Sequence, residues 1–133
     1  MEKKKFIYSV GKRKTASARV RLYKGHDNSL VNSIPVEKYF PGLVEKIKLA
    51  KPFEITGNSG KYFFTARIEG GGKNTQLEAL IHGISKALAK TNKEKFHPAL
   101  RKAGLLTRDA RVRQRRMVGT GGKARREKQS PKR

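Results

Sequence analysis

The run Gly11-Lys12-Arg13-Lys14-Thr15 is followed at alternate positions by Arg19 and Arg21. Cations on one strand face beside a basic loop form a positive edge that can lie along a phosphate backbone, with Gly11 permitting close approach. The competing reading is a basic loop that is merely solvated. A second candidate is Gly70-Gly71-Gly72-Lys73, where glycines expose backbone N–H groups ahead of a helix start, a place suited to a phosphate. It is not a nucleotide loop, because Arg67 and Asn74 stand where that pattern needs Gly and Ser or Thr. Thr120-Gly121-Gly122-Lys123-Ala124 fails likewise. What survives is a phosphate contact at the Gly72–Gln76 corner, weighed against plain turn glycines. The third candidate is the cationic C-terminal stretch holding Arg108, Arg111, Arg113, Arg115, Arg116, Lys123, Arg125, Arg126, Lys132 and Arg133.

Catalytic chemistry finds no such support. His26, His82 and His97 lie far apart, without metal-ligand spacing. No pair of carboxylates suggests acid–base work: Asp27 reads as a turn residue and Asp109 as the partner of a neighbouring Arg. The chain has no Cys, which excludes a thiol nucleophile, a disulfide framework and a Cys-ligated zinc. The expectation is a protein with no catalytic residue, no metal, no cofactor and no small-molecule substrate. The four Tyr and six Phe read as core material, since the aromatic pattern of an RNA-recognition strand is missing.

These candidates need elements to hold them. Phe6, Ile7, Tyr8 and Val10 predict a first strand. Ala18, Val20 and Leu22 alternate with Arg19, Arg21 and Tyr23, the period of a half-buried second strand. Residues 25–29 form a turn cluster, Leu30-Val31-Asn32 a short strand, and Val36–Phe40 a helical turn. Leu43, Val44, Ile47 and Ala50 recur at helical spacing until Pro52 interrupts it. Phe53–Thr56 then reads as a strand, residues 57–60 as a hairpin turn and Lys61–Glu69 as its partner. Thr75 with Glu78 has capping-box spacing, and Leu77, Leu80, Ile81, Ile84 and Leu88 mark one face of a long helix. A shorter helix covers Pro98–Ala103, with Gly104 as its stop. Strands first and helices later predict an α+β domain, a sheet covered on one face by helices.

The 133 residues carry 33 Lys plus Arg against 10 Asp plus Glu, a net charge of +23. Such a chain repels itself and calls for a polyanion. Nucleic acid is favoured over an acidic membrane surface, because no basic helix with large apolar residues opposite its charges is present. No apolar run approaches a membrane span, and Met1-Glu2-Lys3-Lys4-Lys5 leaves no room for the apolar stretch of a signal peptide. A cytoplasmic location is expected, with an organelle interior as the less favoured alternative. Residues 101–133 hold 13 Lys/Arg against 2 Asp/Glu, and Phe96 is the last aromatic. The chain therefore divides into a compact domain, residues 1–107, and an extended basic tail, residues 108–133, disordered without RNA.

Several stretches resemble the small-subunit ribosomal protein nine family, bacterial type. They are Tyr8 to Val20, Tyr39-Phe40-Pro41, Gly70-Gly71-Gly72, Gln76, His82-Gly83-Ile84 with Ala87-Leu88, Leu100 to Arg111, Lys123 to Arg126 and Lys132-Arg133. The Thr107-Arg108-Asp109-Ala110-Arg111 block and the first glycine-basic block are the specific ones. The family usually ends Gln-Phe-Ser-Lys-Arg, where this chain reads Gln129-Ser130-Pro131-Lys132-Arg133. A basic stretch with Tyr-Gly is replaced by residues 117–122.

The resemblance implies a two-layer α+β domain with a left-handed βαβ crossover in the head of the small ribosomal subunit. Its expected partners are head rRNA (the 3′ major domain), neighbouring head proteins and the peptidyl-site tRNA, with no membrane. On that basis Lys12, Arg13, Lys14, Arg19, Arg21, Gly71, Gly72, Lys73, Arg108, Arg111, Arg113, Arg115, Arg116, Lys123, Arg125 and Arg126 are expected at rRNA, and Lys132 and Arg133 at tRNA. The rivals are a nucleoid architectural protein, an accessory subunit of an RNA-processing ribozyme and, disfavoured for want of clustered carboxylates, a nuclease.

Overall fold

The computed structural model describes residues 5–118. Strands β1 (Phe6–Arg13) and β2 (Ala16–Lys24) form a hairpin closed by Lys14 and Thr15, with Arg13 opposite Ala16. Lys14 takes φ +52°, a turn conformation whose twist suits flanking strands. β2 pairs antiparallel with β5 (Tyr62–Glu69), and β5 pairs parallel with β3 (Leu30–Val31), which pairs with β4 (Ile34–Pro35). The sheet order is β1-β2-β5-β3-β4. Because β3 and β5 are parallel neighbours, the chain between them crosses over through helices α1 (Val36–Tyr39) and α2 (Leu43–Thr56). This is the implied βαβ unit, and mixed α+β is the architecture.

Strand alternation divides the sheet into two faces. Ala16, Ala18, Val20 and Leu22 of β2 are buried with Phe64, Ala66 and Ile68 of β5, facing α3 (Lys73–Thr91). Leu77, Leu80, Ile84 and Leu88 of the predicted stripe complete that core, and Ile81 packs against it partly buried. Helix and sheet meet most closely at two glycines. A Cβ on Gly11 would sit 2.0 Å from the Ala79 carbonyl oxygen, and one on Gly83 would sit 2.7 Å from Val20. Gly11 thus serves the close approach of α3, not of an external phosphate.

The outer edge of β1 is satisfied by α3 side chains. His82 Nδ1 accepts the Lys12 N–H (3.4 Å), while the ammonium groups of Lys86 and Lys90 donate to the carbonyls of Val10 and Tyr8 (both 2.9 Å). Residues four apart on a helix advance about 6.0 Å. Residues two apart on a strand advance about 6.8 Å. The near match lets one helix run antiparallel along the edge and close off a row of groups that would otherwise invite another strand.

Three expectations fail locally. α2 continues through Pro52 to Thr56, so Phe53–Thr56 is helical and residues 57–60 are not a hairpin turn. Pro52 lacks the N–H for a helical bond, but its ring is fully buried, and the Thr56 hydroxyl donates to its carbonyl (3.0 Å). Gly57, at φ +70°, donates to Glu54, and Asn58 donates to Phe53 (2.8 Å), a Schellman ending. Secondly, Thr75 is no cap: α3 begins at Lys73 after Gly72, without a side-chain cap bond. Thirdly, Phe6 and Tyr8 are not core; they lie 47% and 45% exposed on the helix-free sheet face. α4 (Phe96–Lys102) begins slightly ahead of its expected span, and Gly104 at φ +77° ends it as expected. Among the described residues, no helix is long and apolar enough to cross a membrane.

Candidate nucleic-acid interface

The hairpin end presents Lys12 and Lys14 as exposed side chains, with Arg13 between them turned the other way. Arg13 is only 12% exposed. Its Nε donates to Glu78 (2.6 Å), and Nη1 donates to the carbonyls of Arg111 (2.6 Å) and Asp109 (3.3 Å) and lies 3.2 Å from the Asp109 carboxylate. This guanidinium is therefore a clamp, its fork spanning α3 and the segment beyond α4. Asp109 is gripped from the other side by Arg111, whose guanidinium donates to both carboxylate oxygens at 2.9 and 2.7 Å. Those bonds, with the Arg111 backbone N–H, hold the Asp109 carboxyl well below the usual carboxylate range.

His82 anchors the same segment one turn along α3. Its Nε2–H donates to the Leu106 carbonyl (3.2 Å), which leaves Nδ1 as the acceptor for Lys12. Burial pushes the imidazole below its usual 6.5; Lys86 and Arg108 push the same way, and the Leu106 bond opposes them. His82 is thus a partly buried histidine bonded at both ring nitrogens, in keeping with its reading from sequence as a packed or surface residue rather than a metal ligand.

The glycine loop reaches the hairpin from the other side. Gly70 and Gly71 take φ +81° and +64°, and a Cβ on Gly70 would meet the Thr15 carbonyl at 2.4 Å. Gly70 and Gly71 thus sit beside the β1–β2 turn, while a Cβ on Gly72 would meet open space. Lys73 is only partly available, since its ammonium lies 3.3 Å from the Tyr39 ring centre and 3.4 Å from the Tyr39 carbonyl. Gln76 supports this corner, accepting from the Tyr39 hydroxyl (2.6 Å) and donating to Gly70 (3.0 Å).

Arg108, Arg111, Arg113, Arg115 and Arg116 are exposed on an extended segment that leaves the domain at the Arg13 clamp. Arg19 and Arg21 point away from all of these, onto the helix-free sheet face. There the register places Arg67 directly opposite Arg19. Sequence reasoning missed Arg67; the alternation of Phe64, Ala66 and Ile68 against Thr65 and Arg67 was the available signal. Lys123, Arg125, Arg126, Lys132 and Arg133 lie outside the described residues. Among the described residues, no group of three or more His, Asp or Glu could hold a metal.

The structure therefore brings together the hairpin, the glycine loop and the root of the arginine-rich segment, three stretches far apart in sequence. Comparison with known proteins adds the identity of the family. The family described as ribosomal protein S9/S16 matches residues 11–133. A small ribosomal subunit protein uS9 from Desulfotalea psychrophila is 44% identical over 116 residues, covering 87% of this chain and 88% of that protein. The uS9 of Maridesulfovibrio salexigens is 42% identical over 119 residues, 90% and 91% of the two chains. That of Rickettsia africae is 44% identical over 127 residues, 96% and 79%. With the family pattern running from the first hairpin to the last residue, this chain belongs to the ribosomal protein S9/S16 family.

Proposed function

We propose that this chain, a structural constituent of the small ribosomal subunit and not an enzyme, grips rRNA of the subunit head and extends its tail to the peptidyl-site tRNA. Residues 1–107 act as the docked domain and residues 108–133 as the extension. Lys12, Lys14, Gly71, Gly72 and Lys73 meet phosphates at the hairpin end, and Arg19 and Arg21 do so on the sheet face. Arg108, Arg111, Arg113, Arg115 and Arg116 continue the track, followed by Lys123, Arg125 and Arg126, while Lys132 and Arg133 reach tRNA. Arg13 belongs to the site by aiming that track rather than by spending its charge on phosphate.

The observation that carries this reading is the Arg13 clamp, which joins the basic hairpin to the arginine-rich segment through Asp109 and Arg111. A chain whose cationic stretches were merely solvated would gain nothing from holding two of them together against their repulsion. A polyanion lying across both supplies the compensating charge.

The chain has no cysteine, so one placed at Lys14 or Arg116 is unique. An iron chelate attached there in assembled small subunits should cleave head rRNA near both positions. Subunits that incorporate the labelled protein yet show no cleavage of head rRNA from either position would overturn the placement.

A further inference from the structure

Among the described residues, no helix covers the sheet face opposite α3, and its composition is not that of a merely wet surface. Pairing lays its residues out in rows: Phe6, Tyr23 and Phe63; then Tyr8, Arg21 and Thr65; then Val10, Arg19 and Arg67. Open faces of antiparallel sheets are ordinarily polar, yet here Phe6 and Tyr8 stand 47% and 45% exposed. Tyr23 and Phe63 stack with ring centres 5.1 Å apart and planes within 10°. The Arg21 guanidinium lies 5.1 Å over Phe6. Arg19 and Arg67 face each other across the ladder, a like-charge pairing that costs stability unless an anion lies between them. Glu69 relieves it little, standing 3.9 Å from Arg67 with both side chains more than three-quarters exposed. Tyr8, Arg19, Arg21, Asn32 and Arg67 line a shallow hollow of about 730 Å³ that is open to solvent.

We propose that this face is a stacking platform for unpaired RNA, with a base laid on Tyr8 and the adjoining phosphate held between Arg19 and Arg67. The inference rests on the rRNA-binding reading above and adds a second mode to it, recognition of bases rather than of backbone alone. An acidic peptide would answer the arginines but would leave the rings without a planar partner. A nucleotide answers both, because every base has a flat face and a phosphate beside it. The RNA must be unpaired there, since an A-form duplex hides its base faces inside the stack. Lys86 and Lys90 close the backbone edge of β1, so RNA reaches the exposed ring of Tyr8 from the open sheet face.

Two measurements test this on the full chain. In the first, the free protein binds a single-stranded oligoadenylate of ten nucleotides and an abasic oligomer of equal length and charge. The base-bearing strand should bind at least fivefold more tightly, the smallest gain expected from one stacked base. Tyr8→Leu should remove most of that preference, and Lys14→Gln should lower both affinities while leaving their ratio alone. Equal affinities for the two oligomers would overturn the proposal. In the second, benzoylphenylalanine replaces Tyr8 in assembled small subunits and is photolysed. Crosslinking to rRNA is the expected result; crosslinking to a neighbouring protein, or to nothing, overturns the proposal. Either failure leaves the backbone contacts at Lys14 and Arg116 intact, so the broader rRNA reading stands or falls by its own cleavage experiment.

Discussion

Two glycines of similar look do unlike work. Gly11 lies against α3 with no room for a methyl group, since the nearest obstacles are backbone atoms of Ala79 and Gly83 at 2.0 and 2.3 Å. Backbone cannot rotate aside as a side chain can, so Gly11→Ala must push the helix off the sheet. A loss of about 3 kcal/mol is expected, at the upper end for overpacking, read as a lowered thermal midpoint. Gly72 has open space around it and a negative φ of −96°. Gly72→Ala should change the midpoint little, by under about 1 kcal/mol, and equal effects of the two would contradict the packing described. His82 makes a different prediction. Its folded-state pKa is depressed by burial, so the unfolded chain takes up a proton more readily. The stability it contributes is present above pH 6.5 and is lost as pH falls through that value towards the folded pKa. Lys12, Arg13, Lys86 and Arg108 surround it, with Glu78 and Asp109 as countercharges on the same pocket. Protonation would also cost Nδ1 its role as acceptor for the Lys12 N–H. Thermal melts at pH 8 and pH 5.5 should show a smaller drop for His82→Gln than for the native chain.

At the scale of elements, α3 organises the molecule: it packs on β1 and β2, edges β1 with three side chains, and holds the departing segment directly through His82 and, by way of Arg13, through Glu78. Arg13→Gln should therefore detach the segment at Asp109 and Arg111 while leaving the sheet formed. The expected sign is faster amide exchange and sharper resonances for residues 109–112 in the free protein, with Lys14→Gln as a silent control. Unchanged exchange at Arg111 in Arg13→Gln would show that the clamp does not hold the segment. Much of this scaffold was legible beforehand. The periodicity of Leu77 to Leu88 and the alternation of Ala18 to Leu22 report burial on one face, and burial is what both elements obey. Pro52 misled because its missing N–H argues locally for a break, whereas burial of its ring, with Leu49 and Thr56 on the same side of α2, outweighs one lost bond. Phe6 and Tyr8 misled in the opposite way. Aromatic residues are ordinarily buried, and only the pairing register shows that these two point away from α3. The clamp was half visible, since Asp109 beside arginines reads as an ion pair. Nothing in the spacing of Arg13 and Asp109, ninety-six positions apart, could have joined them.

For the whole molecule the deciding quantity is how +23 charges are divided. Some cations are consumed internally: Arg13 as a clamp, and Lys86 and Lys90 on the edge of β1. Those on the exposed segment from Arg108 to Arg116 begin a track that heads away from the domain, and the proposed tail extends it. On the proposed reading, charges near the root hold the tail to rRNA, which leaves the last two, Lys132 and Arg133, for the tRNA. Arg offers a planar fork that binds a phosphate with two bonds, and Lys a flexible point charge. A charge-assisted hydrogen bond is worth about 1.5–3 kcal/mol when isolated. Peptidyl-site tRNA is held at many points, so removal of this pair should cost nearer 1 kcal/mol, about fivefold in affinity. Small subunits programmed with messenger and carrying either the full chain or the chain lacking Lys132 and Arg133 would be compared by filter binding of tRNA. Assembly should be equal and tRNA affinity weaker for the shortened chain, with the difference shrinking as salt is raised. Equal affinities at low and moderate salt would mean that the tail ends short of the tRNA and that its whole charge is spent on rRNA.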